Sequence, residues 1–157
     1  SGDRVLAEAD VVLVDIGARK GAHVSDITRM AVLGTPPEGY DAVHAVVDAA
    51  VQAAMAAAKP GVPAMAVDAA ARGVIEAAGY GAFFTHRTGH GLGMECHETP
   101  YIYGANELPL DIGMTYTVEP GIYLPGKGGV RIEDDVVVTA GGCESLSDFP
   151  RELTILP

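Results

Sequence analysis

Basic residues are scarce: 10 Lys and Arg stand against 21 Asp and Glu, a formal net charge of -11 at pH 7. A surface of that sign repels phosphate backbones and anionic headgroups, which argues against nucleic-acid and membrane partners. Cysteine is scarcer still. Cys96 and Cys143 form no pair at ligand spacing, and a chain of 157 residues has no need of a disulfide to fold, so the expected setting is reducing and cytoplasmic. No apolar run reaches the ~20 residues of a membrane helix. The opening SGDRVLAEAD lacks the apolar core of a secretion signal. Fixed-period repeats, Ser/Pro-rich linkers and low-complexity tracts other than alanine enrichment are missing too. Apolar material is plentiful: 48% of residues, with a mean hydropathy of +0.22. That is enough for one core and argues against disorder, so residues 1–157 read as a single domain.

The chain changes character along its length. VVLVDI at 11–16, closed by Gly17, and the run from Val24 to Val32 after RKGAH predict a strand hairpin that carries Asp15 and Asp26. From Gly39 to Ala58 apolar residues recur at 43, 46, 47, 50, 51, 54 and 55 in Ala-rich sequence, which predicts a helix stopped by Lys59-Pro60-Gly61. A second helix is expected from Ala64 to Ala78, ending at Gly79. Beyond Tyr80 come short strand-like segments with Gly punctuation: FFTHRTGHGLGMECHE, MTYTVEPGIYL and GGVRIEDDVVVT. The fold class is α+β.

The chemistry-bearing residues lie in the strand-like segments. Asp15, Asp26, His90, Glu119 and Glu133 stand in apolar or Gly-rich surroundings. A carboxylate there is desolvated unless a cation or several donors stabilise its charge. Four carboxylates with one imidazole suit divalent manganese, cobalt or zinc rather than a thiolate-seeking ion, and their summed charge matches two ions better than one. Each residue also has an ordinary reading. Asp15 can end a strand, Asp26 can pair with Arg29 at a strand edge, and His90 can sit in a Gly-flanked loop. Glu119-Pro120-Gly121 can be a turn and Glu133-Asp134-Asp135 a solvated acidic face.

Six segments in order, VDIG, SDITR, HRTGHGLG, HETP, VEPGIY and RIEDDV, resemble the signature of the Xaa-Pro aminopeptidase and prolidase family of pita-bread metallopeptidases. The resemblance runs from SGDR to PRELTIL. It implies a pita-bread fold lacking part of its N-terminal half. It implies hydrolysis of the bond preceding proline, in Xaa-Pro dipeptides or N-terminal Xaa-Pro peptides, by a hydroxide bridging two divalent ions. Manganese is favoured over cobalt and zinc. Asp15, Asp26, His90, Glu119 and Glu133 would be the ligands, Asp26 and Glu133 bridging, with the ions ~3.5–4 Å apart. Glu119 would also accept the proton. His86 and His97 match histidines beside the substrate, where an imidazole can donate to a developing oxyanion. Arg131 matches an arginine that orients a carboxylate or holds the substrate, its ordinary reading being a surface ion pair. A homodimer of the full-length protein is implied.

The match is not complete. Met30 stands where a threonine is usual and His23 where an aromatic is common, and a further substrate-contacting histidine would fall before Ser1. His23 and His44 match no site and read as surface residues. Methionine aminopeptidases share fold and ligands but differ around the last glutamate. Creatinase works without metal, and a noncatalytic pita-bread module that binds peptides is the alternative from outside the enzymes. Without the first half of the sheet, VVLVDI should expose an edge and apolar surface, and the chain alone should pair with another copy or a cleaved N-terminal piece, or aggregate, and cleave Xaa-Pro bonds poorly.

Overall fold

A computed structural model describes residues 2–157. Strands β1 (Val11–Lys20) and β2 (His23–Leu33) form an antiparallel hairpin, and β10 (Thr154–Leu156) adds parallel to β2. The strand does not stop at Gly17. The ladder continues to Lys20↔His23, because cross-strand pairing outweighs the weak preference of glycine against strands. Helix α1 (Tyr40–Ala57) and helix α2 (Ala64–Ala77) follow within a residue of their expected ends. Gly79 at φ 86° terminates α2 in the left-handed region.

Ala50, Ala54, Ala64 and Ala71 are fully buried where the helices meet, since side chains this small let two backbones approach closely. The opposite edge of α1 packs on a five-stranded sheet of order β4-β3-β5-β8-β9. Its strands are β3 (Gly89–Gly91), β4 (Glu98–Ile102), β5 (Thr115–Val118), β8 (Asp134–Thr139) and β9 (Gly142–Ser145). A separate hairpin, β6 (Gly121–Leu124) with β7 (Gly128–Arg131), connects β5 to β8. Val47, Val51, Ile75, Ile102, Tyr116, Ile122 and Ile132 fill the core between helices and sheets. No helix among the described residues is long and apolar enough to cross a membrane.

The two larger sheets meet at one bridge, Thr28↔Glu133, where the Glu133 N–H donates to the Thr28 carbonyl at 3.2 Å. That junction brings the first hairpin against the strands that follow the helices.

Candidate metal centre

Register decides which side chains meet. Asp15 pairs with Thr28, and Gly17 pairs with Asp26, so both acids project from the same face of the hairpin. Arg29 lies an odd number of residues from Asp26 and points the other way. It is not a partner of Asp26. Its guanidinium is spent on Asp134 at 2.7 Å and on the carbonyls of Thr28, Glu133, Phe149 and Pro150. The run Glu133-Asp134-Asp135 is not a solvated face either, since all three are buried.

His90 comes from β3 between two glycines whose lack of a side chain is required. A Cβ at Gly89 would lie 1.7 Å from the Thr117 carbonyl oxygen, and one at Gly91 would lie 2.3 Å from that of Thr99. The His90 Nδ1 atom is 3.1 Å from the Gly91 carbonyl, so it carries the proton and leaves the Nε2 lone pair free. Nε2 faces Glu119 Oε1 at 3.4 Å and Asp26 Oδ2 at 3.9 Å. Ligand atoms of Asp26, His90 and Glu133 all lie within 4.8 Å of one another.

These residues share one cavity of about 690 Å³, lined by Asp15, Asp26, His90, Glu119 and Glu133 together with His86, His97 and Arg131. All eight side chains singled out in the sequence therefore open onto the same space.

The acids in the cavity perturb one another. Burial, and next the Glu119 charge, push the Glu133 carboxyl up to about 8. Burial moves Glu119 up to about 7, against the pull of Thr117 and Arg131. Asp26 is raised by burial and by the neighbouring Asp15 charge. Four acids crowded into one hollow oppose each other's ionisation, and divalent cations would relieve that repulsion. With an imidazole lone pair aimed among them, the donors fit metal ions of the hard to borderline class.

Around the acids runs a chain of donors. Arg131 Nη1 donates to Tyr123 Oη at 3.0 Å, Tyr123 Oη lies 2.8 Å from His86 Nε2, and His86 Nδ1 lies 2.7 Å from the Arg87 carbonyl. Burial lowers the His86 pKa and favours the neutral ring, and with Nδ1 donating to the Arg87 carbonyl its Nε2 then accepts from the Tyr123 hydroxyl. Both of its ring nitrogens are thus engaged. Arg131 Nη2 also donates to Asp15 in a short charged contact, with its Nε 4.0 Å from Glu119. His97 is exposed and holds its ring 4.1 Å from that of His90. Cys96 reaches the rim, Sγ lying 3.8 Å from Asp26 Oδ2.

Tyr123 was not among the sequence candidates. It lies on β6 within the VEPGIY segment that also carries Glu119, and that shared motif is the signal that could have found it. His23 is exposed as expected, but His44 is not a surface residue. It is 8% exposed, and its Nε2 has no hydrogen-bond partner among the described residues. It borders a separate hollow of about 820 Å³ between α1 and residues 147–153. The periodicity that places Val43 and Val47 inward carries His44 inward as well.

Comparison with known proteins agrees with this geometry. A probable dipeptidase PepE of Mycobacterium tuberculosis is 47% identical over 156 residues, covering 99% of this chain and 42% of the relative. The Xaa-Pro dipeptidase of Pyrococcus furiosus is 44% identical over 153 residues, covering 98% of this chain and 44% of the relative. The crystal structure of an X-Pro aminopeptidase from Thermotoga maritima superposes with a TM-score of 0.96 at 43% identity, over 99% of this chain and 44% of that one. The chain therefore spans less than half the length of the relatives it matches, and its architecture is the pita-bread fold of those peptidases. With the metallopeptidase family M24 profile matching residues 1–140, and the acids and histidine of the cavity within that range, the chain belongs to metallopeptidase family M24.

Proposed function

We propose that this chain supplies the metal-binding core of an enzyme that hydrolyses the peptide bond preceding proline, in Xaa-Pro dipeptides or N-terminal Xaa-Pro peptides. The observation that carries the reading is the convergence of Asp15, Asp26, His90, Glu119 and Glu133 on one cavity. In this reading Asp15 and Asp26 would hold one ion and His90 and Glu119 the second, with Asp26 and Glu133 shared. Two divalent ions, with manganese favoured, would supply a water of lowered pKa and polarise the scissile carbonyl. Glu119, whose carboxylate faces His90 Nε2 at 3.4 Å, would accept the proton of the attacking water. His97, exposed at the rim, is placed to donate to the oxygen on which charge develops. His86 and Arg131 complete the substrate wall, joined through Tyr123. The names of the Pyrococcus and Thermotoga relatives support the preference for proline. The full-length protein is read as a cytoplasmic homodimer.

The test is to offer the full-length protein, with Mn2+, an Xaa-Pro dipeptide, a longer Xaa-Pro peptide and a Met-initiated peptide without proline. Cleavage confined to the proline substrates is expected, and their ratio separates dipeptidase from aminopeptidase. Cleavage of the Met-initiated peptide alone would replace this reading with a methionine aminopeptidase. Metal binding without any cleavage would leave a peptide-binding module.

A further inference from the structure

We infer that Thr28 and Thr117 are positioning residues whose hydroxyls aim the carboxylates of Glu133 and Glu119 into the cavity. The inference rests on the metal-centre reading above. Both threonines are fully buried. Thr28 lies two residues after Asp26 on β2 and so shares its face. Thr117 on β5 lies two residues before Glu119, which follows the end of that strand and is reached by the Thr117 hydroxyl. A buried threonine in a strand is ordinarily shape-filling, but these hydroxyls have specific assignments. Thr28 Oγ1 donates to Glu133 Oε2 at 2.5 Å and accepts from Arg131 Nε at 3.4 Å. Thr117 Oγ1 accepts the N–H of His90 at 3.1 Å and donates to Glu119 Oε1 at 3.2 Å.

A hydroxyl has a single proton, and in each case the carboxylate is the acceptor available for it. One of about four lone-pair sites on each carboxylate is thereby occupied, which fixes its rotation and leaves the others for ions. Thr117 further ties the backbone of the imidazole ligand to the carboxylate ligand beside it. Thr28 sits at the junction of the two sheets, so the hairpin acids and Glu133 are held in one frame.

The test compares Thr28→Val and Thr117→Val, which keep the shape and remove the donor, with Thr28→Ser and Thr117→Ser, which keep the donor. Mn2+ affinity of the full-length protein is measured by titration calorimetry, with folding followed by circular dichroism. The Val variants should bind Mn2+ about 10- to 100-fold more weakly, the usual effect of losing a group that orients a ligand. The Ser variants should restore binding, and in the Val variants kcat should fall with KM little changed. If a Val variant does not fold, Thr28→Ala or Thr117→Ala, which removes the donor without adding bulk, replaces it and should show the same loss. Unchanged Mn2+ affinity in the Val or Ala variants, or equal losses in Val and Ser, would overturn the inference. An unsubstituted protein that binds Mn2+ but cleaves no Xaa-Pro peptide removes the proposed activity and leaves the threonine roles standing.

Discussion

Glu119 and Glu133 flank strands β5 and β8, which are buried on both faces, whereas β1, which carries Asp15, is open along its length. On β5, Tyr116, Thr117 and Val118 are all buried, with helices behind them. On β1 no residue is buried, and Val14 and Ile16 are 41% and 60% exposed on the face away from the acids. The acids follow suit: the Glu133 residue is 2% exposed, while the Asp15 side chain is 44% exposed. One half of the cradle is built by its own core. The other depends on β2, on the Arg131–Asp15 contact and on whatever covers its outer face, so it belongs to the less stable end of the local-opening spectrum.

The largest effect that would separate the halves is catalytic. In the full-length protein Glu119→Ala should lower Xaa-Pro turnover by roughly 10³-fold or more, since it removes a ligand and the proton acceptor together. His97→Ala should leave residual activity, because a rim donor contributes only part of the oxyanion stabilisation. Equal and mild losses in steady-state assays would end the role given to Glu119.

Core substitutions come next. Ile132→Ala, beside Glu133 and fully buried, should cost about 2–5 kcal/mol in urea unfolding. Ile16→Ala on the open hairpin should stay within about 0.5 kcal/mol. A large cost at Ile16 in this chain would mean that the hairpin is covered after all, and the contrast drawn above would collapse.

Metal should narrow the contrast. Mn2+ at ~100 times its Kd should add about 2.7 kcal/mol to the unfolding free energy. Amide exchange by mass spectrometry should slow more in β1–β2 than in β5 and β8. Uniform slowing would show that both halves are equally preformed.

The smallest expected effect is on pH. Glu133 and Glu119 titrate at about 8 and about 7 in the metal-free fold, against an ordinary value of 4.5. Their folded forms therefore bind more protons than their unfolded forms between these values, and stability falls as pH rises from 4.5 towards 8. A fall in Tm between pH 5 and 8 should be seen by calorimetry, each kcal/mol lost lowering it by roughly 2–4 °C in a domain this size. Mn2+ should abolish or reverse it, because binding keeps the carboxylates ionised. A metal-free Tm that rises over this interval would contradict the crowding of acids.

Local signals made the helices legible. Ala-rich periodicity, Pro60 and Gly79 placed both within a residue of their ends, since helix boundaries depend on nearby residues. The end of β1 was misread because strand length is decided by the partner strand, and Lys20 pairs with His23 across the turn. The eight site residues could be found through their motifs, but that Asp15 and Asp26 share a face follows from register. The role of Tyr123 is less legible, because its hydroxyl gains meaning beside His86, in the segment before β3, and Arg131 on β7. The ordinary alternative for Asp26, an ion pair with Arg29, fails for the opposite reason: closeness in sequence counts for less than the alternation that turns Arg29 toward Asp134.

The glycines flanking His90 carry a consequence for redesign. Because the neighbouring carbonyls stand where side chains at 89 and 91 would begin, sheet spacing and imidazole placement are a single constraint. A library that randomises this triplet would therefore return misfolded proteins more often than altered ion preferences. Tuning which ion the pocket prefers is better attempted from the rim, at Cys96 or His97, where exchanging a side chain leaves the strand ladder untouched.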